Sequence, residues 1–356
     1  MTLIRIQSGP SSYDVLVGPI DAGIDTTLAK FVGAAPIMVS EPRVFGFHGT
    51  RIAALLSASD PILVPEGEAA KDWAVLHDLL GEFARRKVDR DTSIIALGGG
   101  SVGDLTGLAA ALFKRGCPII HVPTTLLAQA DSAIGGKTAI DAFGEKNLVG
   151  TFHQPSLVLA DPALLETLDP RQLRSGYAEV VKYGLIDDAP FFDWCEANSA
   201  RLLAGDRDAR HHAVVTAITA KARIIAGDIE DRAGQRALLN LGHSFGHAIE
   251  AEAGIGQVLH GEAVAIGTVL AFRFSAELGH CPATDADRVT HHLSAAGLPT
   301  KLAEAGVEGP QLLDWLSRDK KNKGTRLALI LTRGIGRAFL ERSVDPQRLA
   351  AFLAAA

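Results

Sequence analysis

His243 and His247 stand four residues apart in the stretch Asn240–Glu250, NLGHSFGHAIE. On a helix that spacing puts both rings on one face. Leu241, Phe245, Ala248 and Ile249 around them are apolar or small, which predicts a helix packed inside the protein. Neutral imidazole is a frequent metal ligand, and His260, in the following segment LHGE (Leu259–Glu262), offers a third nitrogen after a glycine-bearing loop. Two histidines in a core need partners of some kind. On this stretch alone a metal site and a set of hydrogen-bonded core histidines both stand. Ser244 occupies the place of glutamate in HExxH, so the zinc-protease motif is absent.

A second stretch with chemical content is Gly98-Gly99-Gly100-Ser101-Val102-Gly103-Asp104, which follows the apolar run Ser93–Leu97 and opens a helical pattern to Phe113. Glycines at the carboxyl end of a strand let a backbone approach a diphosphate, and the following helix N-terminus favours its charge. The spacing is not GxGxxG, so the usual dinucleotide fingerprint is missing, and a turn kept for tight packing is the competing reading. Asp104 alone reads as a helix-start acid. Glu68 and Lys71, at another strand-to-helix turn, read alone as a helix-start acid and a solvated base. In Asp131–Thr138 a lysine follows paired glycines, but Asp131 stands where a P-loop needs glycine. Glu145-Lys146-Asn147 adds a cation and an amide. Glu179 and Lys182, three apart, read either as an exposed ion pair worth about 0.2–0.5 kcal/mol or as a carboxylate ligand beside a cation.

These residues need elements to hold them. Leu3–Ile6 and Tyr13–Val17 alternate like a hairpin around Ser8-Gly9-Pro10. Then strand and helix alternate: Pro36–Val39, Arg51–Leu56, Pro61–Val64, Lys71–Lys87, Ser93–Leu97, Leu105–Phe113 and Pro118–Val122. That order predicts a parallel sheet with helices on its faces. From about Pro162 helical periodicity takes over, in Arg171–Leu185, Asp208–Ile229, Asn240–Glu250, the helix from His260, Asp285–Ala296 and Gln311–Leu316. A small hairpin, Arg326–Leu331 with Arg337–Leu340, comes last. The expected fold class is α/β plus all-α, with a Rossmann-like N-terminal domain over 1–162 and a mostly helical domain over 163–356.

At 356 residues, 47% hydrophobic and 21% charged, the composition is that of a globular enzyme. A net charge of −6 argues against nucleic acid as a partner. No run is long enough to span a bilayer and no secretion signal opens the chain, so no membrane partner and a cytoplasmic location are expected. Cys117, Cys195 and Cys281 are scattered and odd in number, against a disulfide framework.

Taken together, Gly98–Gly107, Pro123–Lys137, Lys146–Asn147, Gly176–Tyr183, Leu239–Glu252 and His260–Glu262 resemble the 3-dehydroquinate synthase family of sugar-phosphate cyclases. The resemblance runs from the opening hairpin to the last helix. It implies NAD binding in the first domain, zinc or cobalt in the second, and a place in the shikimate pathway. The implied metal ligands are Glu179, His243 and His260. The implied NAD contacts are Glu68, Lys71, Gly100, Ser101, Val102, Gly103, Asp104, Thr124, Thr125, Lys137, Lys146, Leu164, Leu165, Glu166 and Thr167. The implied substrate is 3-deoxy-D-arabino-heptulosonate 7-phosphate, with Lys137, Asn147, Arg236 and one lysine of the Lys320–Lys321 pair, Lys321, on its phosphate. Lys182, Lys221 and Asn240 fall around its carboxylate and hydroxyls. Arg115 matches a residue supplied by a second subunit, which implies a homodimer. His247 is implied to face substrate and move protons, and Asp131, Lys182 and Glu179 complete the catalytic set. Ala133 replaces the usual serine, and Glu41 stands where an Asp or Asn often meets the adenosine ribose. Two alternatives share parts of this pattern: another sugar-phosphate cyclase, and a metal- and NAD-dependent polyol dehydrogenase.

Overall fold

The computed structural model describes residues 1–8, 11–21, 35–58, 60–226, 236–254, 256–317 and 327–356. The chain forms two compact units, one of Met1–Asp169 with Arg210–Glu230, the other of Pro170–Ala209 with Asp231–Ala356.

The first unit is built on a seven-stranded sheet: β1 (Thr2–Ser8), β2 (Ser11–Val17), β3 (Ile37–Ser40), β4 (Ile62–Leu63), β5 (Ile94–Gly98), β6 (Ile119–Pro123) and β9 (Leu157–Ala160), in the order β1-β2-β9-β6-β5-β3-β4. Only β1 runs antiparallel to its neighbour. Every residue of β3, β5, β6 and β9 is buried. That is why these strands read as apolar runs rather than alternations: both faces of a parallel sheet are covered. Two apolar clusters do the covering. One packs Leu76, Leu79 and Phe83 of α2 (Trp73–Arg85) and Leu105, Leu108 and Ala109 of α3 (Gly100–Leu112) on Val39, Ile94 and Ala96. The other packs Ile52 and Leu56 of α1 (Thr50–Leu56) and Leu164 on Met38, Ile95, Ile120 and Leu159.

From β3 the chain goes outward to β4 and then crosses back to β5 on the other side. Open α/β sheets bind ligands outside the carboxyl ends of strands at such a reversal, which here means Ser40-Glu41 and Gly98-Gly99. Three features of this unit were not expected. Leu157–Ala160 is a strand in the middle of the sheet, flanked by prolines only a few residues away. Lys137–Ala142 (β7) and Glu145–Phe152 (β8) form a separate antiparallel pair closed by Phe143 and Gly144, both at positive φ. Residues 210–226, within the long helix Arg207–Ala226, belong with the sheet rather than with the helices that flank them in sequence.

The second unit is mostly helical: α4 (Pro170–Asp187), α5 (Ala189–Leu203), α7 (His243–Ala253), α8 (His260–Glu277), α9 (Ala283–Ala295), α10 (Leu312–Ser317) and α11 (Pro346–Ala354), with α6 (Arg207–Ala226) beginning in it. A hairpin of β10 (Leu327–Thr332) and β11 (Ala338–Val344) packs in the same unit. The helix expected from Asn240 begins at His243; Arg236–Asn240 is a 3-10 turn, and Gly242 at φ 78 makes the break.

Glycines bring the helices of this unit into backbone contact. A Cβ on Gly267 would lie 2.1 Å from the Gly242 carbonyl oxygen, and one on Gly246 3.3 Å from the Ala263 backbone, so α7 and α8 meet without side chains between them. A Cβ on Gly261 would lie 1.8 Å from the Ser175 carbonyl oxygen, seating the start of α8 on α4. Among the described residues no helix is long and apolar enough to cross a membrane, and Cys117, Cys195 and Cys281 are free and buried.

Candidate active site

In the second unit Glu179, His243 and His260 come from α4, α7 and α8, and their ligand atoms all lie within 4.8 Å of one another. His243 Nε2 is 3.4 Å and His260 Nε2 3.6 Å from Glu179 Oε1. The other ring nitrogens are occupied. His243 Nδ1 is 3.1 Å from the Leu241 carbonyl oxygen, which can only accept, and His260 Nδ1 is 3.1 Å from Glu250 Oε2. Both Nδ1 atoms therefore carry a proton, and both Nε2 atoms face Glu179. One carboxylate and two imidazoles so oriented make an open donor set suited to zinc or a similar borderline cation.

Burial, with the Lys182 cation next, pushes the pKa of His243 well below its ordinary value and keeps its ring neutral. Burial also opposes charge on His260, but the carboxylates of Glu179 and Glu250 outweigh it and hold its pKa up to about 10. A cation entering the triad takes the place of that proton. The Glu179–Lys182 pair is not the exposed ion pair its spacing allowed: both side chains are 2% exposed and in contact. His247 is exposed, and its ring stands perpendicular to that of His243 with centroids 5.5 Å apart. Glu250 is the residue that sequence reasoning passed over; standing seven after His243, on the same helical face, it was open to being found by spacing. Arg236 is buried, and Asn240 Nδ2 donates to the Ala237 carbonyl oxygen at 3.2 Å.

In the first unit the glycine turn opens a small cavity whose lining includes Gly98, Gly100, Gly103, Asp104, His121 and Lys137. Lys71 is not a solvated base. Asp72 caps α2, accepting from Ala74 N at 2.7 Å, so the helix stops short of Lys71, which turns inward and is 4% exposed. Its ammonium donates to Asp104 Oδ2 at 2.8 Å and to Asn147 Oδ1, and it lies 3.9 Å from Glu68 Oε1. Burial lowers its pKa, but Asp104 and Glu68 raise it more, so Lys71 stays charged. Asp104 is thus a half-buried partner of Lys71, not a first-turn acid; desolvation is the main force raising its pKa. Glu68 also accepts from Ser101 Oγ at 3.0 Å and lies 3.4 Å from Lys146. Glu41 Oε2 accepts from Gly67 N at 3.1 Å.

Val102 is buried in α3. Thr125 Oγ1 accepts from Ala128 N at 3.1 Å, while Thr124 Oγ1 is buried with no hydrogen-bond partner among the described residues. Leu164 and Leu165 are buried, and Glu166 and Thr167 exposed, on the turn Pro162–Thr167. Asp131 sits in a π-helical turn, Ala128–Ser132, and pairs with Lys221, whose ammonium also donates to the Asp131 carbonyl oxygen at 2.7 Å. Arg115 is exposed at φ 66, next to Lys114 at φ 47. Lys320 and Lys321 lie outside the described residues.

Comparison with known proteins gives a consistent family. The description "3-dehydroquinate synthase N-terminal" matches residues 61–175 and "3-dehydroquinate synthase C-terminal" residues 176–322. A 3-dehydroquinate synthase of Zymomonas mobilis is 52% identical over 297 residues, 83% of this chain and 78% of that protein. Among solved structures, ValA, a 2-epi-5-epi-valiolone synthase of Streptomyces hygroscopicus with NAD+ and Zn2+ bound, aligns with TM-score 0.89 and 29% identity over 97% of this chain and 96% of its own. A 2-deoxy-scyllo-inosose synthase complexed with carbaglucose-6-phosphate, NAD+ and Co2+ aligns with TM-score 0.88 and 25% identity over 99% of this chain and 100% of its own.

Proposed function

The chain belongs to the 3-dehydroquinate synthase family, and we propose on that premise that it converts 3-deoxy-D-arabino-heptulosonate 7-phosphate to 3-dehydroquinate and inorganic phosphate, as a carbon–oxygen lyase. The observation that carries this reading is the Glu179–His243–His260 cluster, with both imidazoles turned so that Nε2 faces the carboxylate. The residues of the first unit fit NAD. Gly98–Gly100 leave the carboxyl end of β5 without side chains, and the Thr124 hydroxyl at the end of β6 is buried with no hydrogen-bond partner among the described residues. Zinc or cobalt held by the cluster would supply Lewis-acid polarisation of substrate hydroxyls, and NAD held at the glycine turn would supply reversible hydride acceptance.

The other roles belong to residues of this chain. Glu68, Lys71, Gly100–Asp104, Thr124, Thr125, Lys137, Lys146 and Leu164–Thr167 hold the dinucleotide. Lys137, Asn147, Arg236 and the Lys320–Lys321 pair hold the substrate phosphate through charge-assisted hydrogen bonds. Lys182, Lys221 and Asn240 meet the carboxylate and hydroxyls, with Asp131 fixing the Lys221 ammonium. His247, exposed beside the cluster, takes and returns protons as phosphate leaves and the ring closes. Arg115 serves the site of a second copy, giving a homodimer. The three free buried thiols fit a reducing, cytoplasmic setting. A polyol dehydrogenase would have no use for this set of cations. The 52% identity to a 3-dehydroquinate synthase favours the carboxylated substrate over that of another cyclase.

The direct test is phosphate release from the heptulosonate phosphate with far less NAD than substrate. Many phosphates per NAD and no build-up of NADH absorbance are expected. NADH accumulating one for one with substrate would make the protein a dehydrogenase and overturn the assignment. A second test addresses the cofactor. A Cβ at Gly100 would lie 3.1 Å from Ser132 Oγ, a contact that a small shift of one hydroxyl relieves. Gly100→Val should therefore keep its melting temperature while NAD affinity falls about tenfold or more, at least about 1.4 kcal/mol. Unchanged NAD affinity in a calorimetric titration would place the dinucleotide elsewhere.

A further inference from the structure

We propose that Glu250 is a positioning residue for the metal centre, fixing the tautomer and ring plane of His260. This rests on reading Glu179, His243 and His260 as ligands. His243 and His260 reach the same end by different means. The ring of His243 is oriented by the carbonyl oxygen of Leu241, a backbone atom that no substitution removes. The ring of His260 is oriented by a side chain, Glu250 Oε2 at 3.1 Å from Nδ1. Orientation of this one ligand is therefore written in the sequence at a position that is not itself in the Glu179 cluster.

The backbone under His260 is already pinned. Leu259 N donates to Glu262 Oε2 at 2.9 Å, Gly261 N donates to Ser175 Oγ at 3.0 Å, and Arg171 grips the Glu262 carboxylate at 2.6 and 2.8 Å. These bonds fix where the side chain starts but leave its ring free to turn or to exchange protonated nitrogens. Glu250 removes that freedom. Its side chain is 7% exposed; burying a carboxylate is costly unless it is paired, and the His260 ring N–H at 3.1 Å is one such partner. A carboxylate accepting from Nδ1–H leaves the Nε2 lone pair facing Glu179 and makes it a stronger donor.

The same atoms allow a rival arrangement. Ligand atoms of His247, Glu250 and His260 also lie within 4.8 Å of one another, so Glu250 could instead serve a second ion. The two differ in count and in their response to the isostere, since an amide oxygen still accepts from Nδ1–H.

Cobalt is the probe. Wild type, Glu250→Ala, Glu250→Gln and His243→Ala are stripped of metal and titrated with Co2+ against a chelator, with visible absorption and thermal unfolding recorded. One ion per wild-type chain is expected. Glu250→Ala should weaken cobalt binding about 10–100-fold and change the d–d bands, and Glu250→Gln should recover most of the affinity and the bands. Cobalt affinity and spectrum unaltered in folded Glu250→Ala would overturn the proposal. So would two ions in wild type with one in both Glu250 variants, or a folded Glu250→Gln as metal-poor as His243→Ala. If Glu250→Ala does not fold, the glutamine variant decides by the same criteria. Full cobalt binding by His243→Ala would instead overturn the ligand assignment beneath it.

Discussion

His243→Ala should leave the protein as purified without its metal and without measurable turnover, while its neighbour one turn on behaves differently. His243 is 8% exposed, its ring is neutral, and its Nε2 faces the carboxylate of Glu179. Removing it leaves one imidazole and one carboxylate, too few donors for a closed grip on a divalent cation. His247 shares the helix face but is exposed to solvent, where it can exchange protons. His247→Ala should keep its metal and lose about 10²–10⁴-fold in rate, the usual worth of a general acid–base. Elemental analysis of both variants, set beside phosphate release, separates the two roles. Equal metal loss in both would show that the pair works as one ligand unit.

The second large effect is expected at Lys182. Its ammonium and the Glu179 carboxylate are in contact with almost no solvent. Taking away one partner of a buried ion pair costs about 3–5 kcal/mol, because the other charge is stranded. Lys182→Met, which keeps much of the volume, should therefore melt far below wild type when stripped of metal. Added zinc should restore most of that loss, since a divalent cation on Glu179 supplies the missing positive charge. Without the neighbouring ammonium to repel it, the ion should also bind more tightly than in wild type. Turnover should still be lost, because Lys182 is assigned to substrate. Thermal unfolding with and without zinc reads this directly. A destabilisation of the same size in both states would mean that the ammonium and the metal do not share the carboxylate.

What could be read from the chain alone depended on whether a residue's meaning was local. The runs ending at Ser40, Gly98 and Pro123 are apolar on both faces and bounded by turn residues, so the parallel sheet was legible. Leu157–Ala160 carries the same signal but sits between Pro155 and Pro162, and it was missed. The β7–β8 pair was hidden because its strands are studded with charges, Lys137, Asp141, Glu145 and Lys146, and lie outside the main sheet. Lys71 looked solvated because its partners stand 33 and 76 residues away. The spacing of Glu179 and Lys182 was visible, but their burial depends on helices that come later in the chain. Glu179 precedes its histidine neighbours by a stretch no periodicity links, so its place beside them came from family resemblance, and the folded helices then brought the three together.

The glycine seam between α7 and α8, and between α8 and α4, bears on anyone who would move the proposed metal centre to another protein. Copying Glu179, His243 and His260 onto three helices of an ordinary bundle would fail, because helices separated by side chains hold their axes roughly 8–10 Å apart. Here Gly242, Gly246, Gly261 and Gly267 let backbone touch backbone. The portable unit is therefore the ligands together with the glycines, and a graft that kept the donors but filled the seam with alanine would inherit the chemistry's alphabet without its spacing.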